Sequence, residues 1–122
     1  LLRMQAIHQT RELLDNVRQQ LEDLYQSGFD TVHDSTIKGL KRWEKQAQQS
    51  GLSVLGEQLK ELEVQLEALR HSLHPEHGPD MEIYTKLTEY LYLAKQKTDF
   101  DLAEAYYIRK KRFKGYEAGE GG

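Results

Sequence analysis

Apolar residues recur along most of this chain at intervals of three and four, and no stretch alternates with period two for long enough to make a strand. Between Met4 and Tyr25, Ile7, Leu14 and Leu21 repeat every seven positions, with Val17 and Leu24 at the complementary heptad place and Thr10 weakening it. The spacing predicts a first helix. Ser27-Gly28-Phe29 should end it, with glycine in the left-handed conformation and Phe29 folding back onto the last turn. Asp30, Thr31, Asp34 and Ser35 all have side chains able to cap a helix amino terminus, so a second helix begins among them. That helix carries Ile37, Leu40, Trp43 and Ala47 on one face, with Lys38, Lys41, Arg42 and Lys45 around the other sides, and Gly51 terminates it.

The strongest periodic signal follows at once. Leu52, Leu55, Leu59, Leu62, Leu66, Leu69 and Leu73 are spaced 3-4-3-4-3-4 without interruption and predict a third helix of about six turns, capped by Ser53 and ended at His74-Pro75. His74 to Pro79 holds both prolines and Gly78, the clearest break in the chain. Asp80 then caps a fourth helix with Ile83, Leu87, Tyr90 or Leu91, and Ala94 on one face and Tyr84 beside them. Lys97-Thr98-Asp99 offers a helix end and a new cap, giving a fifth helix through Phe100, Ala103, Tyr106 or Tyr107, and Lys110, unless helices four and five are one kinked helix. Past Phe113 the composition turns to Lys, Gly and Glu. The expected fold is all-α: an antiparallel bundle of four or five helices with short loops.

At 122 residues and 14.3 kDa the chain has the size of one domain. Residues 1–114 form that domain, with a possible subdivision at 75–79, and 115–122 form a flexible tail. The leucine seam is only two residues in seven wide, the width of a coiled-coil contact, and the first helix supplies an intramolecular partner for it, so it reads as bundle core in preference to a dimer seam. With 38% hydrophobic and 30% charged residues and a mean hydropathy of -0.78, the composition suits helices that each bury one stripe. No apolar run approaches the roughly 20 residues of a membrane span, and neither a signal peptide nor a membrane contact is expected, which places the chain in the cytoplasm. The Leu1-Leu2-Arg3 opening and Gly-rich close suggest a piece of a longer protein.

There is no cysteine, which removes disulfides, a thiol nucleophile, iron-sulfur ligation and cysteine-ligated zinc. His71, His74 and His77, with Glu76 and Asp80, are the one cluster of metal-donor types, but Pro75 breaks their helical geometry and they read as a solvated helix end and loop, not a metal site. No glycine-rich phosphate loop or Gly-x-Ser-x-Gly elbow occurs, so neither catalysis nor a cofactor is expected. Arg109, Lys110, Lys111, Arg112 and Lys114 make the one dense basic run, and residues 109–122 net +3 against -6 for the rest. With Phe113, Tyr106 and Tyr107 as stacking rings this is a candidate nucleic-acid contact. The overall pI of about 6.0 and the helix dipole's own preference for terminal cations argue against it. Tyr84, Tyr90, Tyr92, Tyr106 and Tyr107 crowd the last third, and Tyr90-Leu91-Tyr92-Leu93 covers most of a helix circumference. One neighbour cannot hide all four, so helix four has a second contact surface, covered either by helix five and the bundle or by another molecule.

The stretch Leu24-Tyr25-Gln26-Ser27-Gly28-Phe29, then Gly51-Leu52 and the leucine run to Leu69-Arg70-His71, resembles helical segments of bacterial proteins that also carry a SWIM-type zinc finger. It covers about the first 75 residues. That family's zinc motif uses cysteines and a histidine, so no ligand carries over; the resemblance implies an accessory helical region of a larger protein. The expected function is a non-catalytic helical module that binds another protein or a second copy of itself through the tyrosine-bearing helices, with the basic segment as the nucleic-acid alternative.

Overall fold

The computed structural model describes residues 2–29, 32–71 and 81–121, with side chains as far as Lys111. These residues form four helices, α1 (Leu2–Ser27), α2 (Asp34–Gln49), α3 (Ser53–Arg70) and α4 (Met81–Gly121), and no strand. A single core joins them. Leu13, Leu14, Val17, Leu21 and Leu24 of α1 meet Ile37, Leu40 and Ala47 of α2, Leu55, Leu59, Leu62 and Leu66 of α3, and Ile83, Leu87 and Leu91 of α4. Leu55, Leu59, Leu62, Leu66 and Leu69 of the leucine seam are thus buried inside their own chain, as the narrow stripe and the apolar face of the first helix led us to expect.

Two glycines set the turns. Gly28 (φ 92°) follows α1 and donates its N–H to the Leu24 carbonyl at 3.1 Å, while Phe29 packs back against the core. Gly51 (φ 78°) follows α2 in a Schellman arrangement: its N–H reaches the Gln48 carbonyl at 3.2 Å and that of Leu52 reaches Ala47 at 2.8 Å. The tight turn folds α3 back along α2, and Arg70 in the last turn of α3 binds Asp34 in the first turn of α2 at 2.6 Å. The guanidinium holds the Asp34 carboxyl below its ordinary range. Between α1 and α4 the partners descend along one helix as they ascend along the other: Arg3 with Glu104 (4.0 Å), Arg11 with Asp99 (3.5 Å), Asp15 with Lys95 (3.7 Å), and the Leu21 carbonyl with the Tyr84 hydroxyl (3.1 Å).

Several expected boundaries are corrected. α2 begins at Asp34, inside the expected range, but its cap is His33, with no side-chain cap bond; Ser35 lies inside the helix, and Asp30 and Thr31 lie outside the described residues. α3 starts after Leu52 with Ser53 as its first residue, again without a side-chain cap bond, and stops at Arg70 with His71 following. Its 18 residues make about five turns, not six. Leu73, the His74-Pro75 terminator and the Asp80 cap lie outside the described residues. Of the two alternatives left open, separate fourth and fifth helices or a single one, the structure has the single one: α4 runs unbroken through Lys97-Thr98-Asp99. Thr98 caps nothing: its hydroxyl donates to the Ala94 carbonyl one turn back, at 2.7 Å, so its polar group is satisfied within a continuing helix. α4 extends to Gly121, through the segment expected as a tail.

Candidate partner-binding face

Continuity of α4 through residues 97–99 fixes which of its residues share a face. Ile83, Leu87, Leu91, Thr98 and Ala105 are buried, with Tyr84, Tyr90 and Ala94 partly so, and this edge meets α1 and α3. On the opposite side, Leu93, Gln96, Phe100, Ala103, Tyr107 and Lys110 recur at 3-4-3-4-3 and all are exposed. Phe100 and Tyr107, two of the residues through which a fifth helix is expected to run, therefore point away from the bundle, and Ala103 is exposed beside a groove that Met4 and His8 of α1 also line. Tyr92, Leu93, Phe100, Tyr106 and Tyr107 are each 59% to 66% exposed. Side chains of this size scattered singly on a surface are ordinary; here five lie along one side of one helix, interrupted by Gln96.

The five candidate tyrosines divide accordingly. Tyr84 is occupied at home: its ring stacks on Tyr25 at 6.1 Å, meets Phe29 edge-on at 5.3 Å, and its hydroxyl is bonded to Leu21. Burial pushes its phenol up from the ordinary value, as it does that of Tyr90, which packs against the core. Tyr92, Tyr106 and Tyr107 are outward, and the Tyr92 hydroxyl accepts a bond from the Gln96 side-chain amide at 2.9 Å.

Arg109, Lys110 and Lys111 are exposed on the same helix; Arg112 and Lys114 lie in its helical range, beyond the described side chains. They follow the segment where Glu104 and Asp99 pair with Arg3 and Arg11 of α1. His71 is exposed and sits 3.6 Å from Glu67, while His74, Glu76, His77 and Asp80 lie outside the described residues. No group of three potential ligands that could hold a metal occurs among the described residues. Nor is any described helix long and apolar enough to cross a membrane.

Two features escaped the sequence. A groove of about 330 Å³ runs between α1, α4 and the turn at Leu52, with Ile7, Leu14, Tyr90 and Ala94 on its walls and Arg3, Lys97 and Asp101 at its rim. Lys97 and Asp101 pair with each other at 3.0 Å, leaving an apolar cleft with charged lips. On the other side of the molecule Glu63 of α3 is only 5% exposed and faces Glu44 of α2. Burial, and then the neighbouring carboxyl, raise Glu63 to about 7, against the opposing pull of Lys41 and Lys60. A single glutamate one residue after a core leucine carries no signal of this kind until the α2 and α3 faces are brought together. No family model matches the chain, and no curated protein or solved structure matches it either.

Proposed function

We propose that this chain is a non-catalytic helical interaction module, an accessory part of a larger protein, which binds a protein partner through the outward face of α4. The four helices serve as an antiparallel bundle that holds α4 straight, an arrangement supported by the order of the ion pairs from Arg3–Glu104 to Asp15–Lys95. One observation carries the proposal: Leu93, Phe100 and Tyr107 stand at heptad spacing on the side of α4 opposite its core contacts, flanked by Tyr92 and Tyr106. Aromatic rings that are exposed in the free protein and aligned on a rigid helix are well suited to anchor an interface at little cost in ordering. Lys110 belongs to the face itself, and Arg109 and Lys111 flank it as a polar rim.

The test is site-specific. A photo-crosslinking phenylalanine analogue in place of Phe100, in the native host, should yield protein adducts, and the same analogue in place of exposed Gln49 should not. No adduct at Phe100 above the Gln49 level would overturn the proposal.

A further inference from the structure

The face on α4 has the 3-4 spacing of a coiled-coil seam with large apolar residues at its a positions, and its flanking charges specify what fits it. Leu93, Phe100 and Tyr107 take the a positions and Gln96, Ala103 and Lys110 the d positions, while the f positions Thr98 and Ala105 are the buried ones. The apolar a positions therefore point away from the chain's own core, while the flanking Asp99 and Glu104 lie beside Arg11 and Arg3 of α1.

We propose that the occupant is a second copy of this chain, laid antiparallel across α4 about a two-fold axis that passes between residues 101 and 102; this rests on the reading of that face as a protein-binding surface. In an antiparallel pair each a position meets a d position. Phe100 then covers Ala103 of the second copy, Tyr107 covers Gln96, and Leu93 lies along the aliphatic stem of Lys110, so each large side chain faces a smaller or flexible one. The flanks agree with this register. Lys97 comes beside Glu104 of the second copy, and by symmetry Glu104 beside the second Lys97, while the Tyr106 hydroxyl can donate to Asp99. A parallel pair does the opposite: it sets Phe100 on Phe100 and Lys110 on Lys110, and brings Asp99 beside Glu104. Both groups are available. Lys97 now bonds Asp101 at 3.0 Å and Glu104 lies 4.0 Å from Arg3, and exposed pairs of this kind hold their partners weakly. The seam from Leu93 to Lys110 is about 26 Å long, a small contact, so the dimer is reversible and dissociates on dilution.

Sedimentation equilibrium of the full 122-residue chain tests this. Wild type should show a monomer-dimer equilibrium. Lys97→Glu and Glu104→Lys each place like charges together twice across the two-fold and should each weaken it about tenfold. Mixing these two variants in equal amounts should restore wild-type association, because every contact between 97 and 104 in the mixed pair then joins opposite charges. Both substitutions are on the solvent side of α4, and circular dichroism of each should be that of wild type. A monomer at every concentration would overturn the inference, and so would a dimer indifferent to both substitutions. Protein adducts at Phe100 that contain only other polypeptides would likewise overturn it while leaving the α4 face a protein-binding surface; the absence of any adduct removes both.

Discussion

Glu63 is held in the fold more firmly as an acid than as a carboxylate. Its value rises from 4.5 to about 7, so the folded chain binds more protons than the unfolded one between those limits, and its contribution to stability falls as pH rises through that window. Glu63→Gln keeps the shape of the protonated acid and removes the titration. It should be more stable than wild type at pH 8 by about 1–3 kcal/mol and indistinguishable near pH 4, read from urea unfolding at the two pH values. Gly51 makes a complementary prediction. A β-carbon there meets nothing within 4 Å, so the cost of Gly51→Ala is conformational alone, from φ at 78°. Thermal or urea unfolding should show a loss of about 1–2 kcal/mol, and Gly51→Asn should lose less. The role of Gly51 was legible in the sequence because a glycine after an apolar periodic run has one common use; that of Glu63 was not, because it depends on Glu44 across the α2–α3 contact.

At the scale of elements, the leucine seam, the first helix and both glycine turns follow from spacing, since burial in a bundle needs only a stripe of the right period. α2 starts at Asp34, within the expected range, but the caps were misjudged: Ser35 and Ser53 fall inside their helices and the cap positions go to His33 and Leu52. At Lys97-Thr98-Asp99 the sequence leaves two helices or one as alternatives, and the structure has one. Those residues look like an end and a new beginning, yet Thr98 is buried with its hydroxyl on the Ala94 carbonyl, and the Lys97–Asp101 pair bridges the supposed junction. Thr98→Pro separates the two pictures. In a continuous helix it removes a backbone bond and clashes with the preceding turn, costing about 3 kcal/mol or more and lowering helicity, whereas at a junction it would be nearly neutral. Circular dichroism during urea unfolding gives the answer.

For the whole molecule, the sequence shows that Tyr90-Leu91-Tyr92-Leu93 overflows one face but not where the overflow leads. That required the helical phase to be carried across residues 97–99, which joins Leu93 to Phe100 and Tyr107 in one stripe and sends Tyr84 and Tyr90 inward. The bundle then has an aromatic face that its own core does not use. The most direct test places the photo-crosslinking analogue at position 100 in a chain that also carries Leu93→Ser and Tyr107→Ser, and compares its adduct yield in the native host, and its melting temperature as a dilute monomer, with those of the same chain without the two serines. Exposed positions contribute little to the monomer's stability, so the melting temperature should stay nearly unchanged while the protein adducts are lost. Adducts at full yield, or a melt lowered as if core leucines had been removed, would contradict the account.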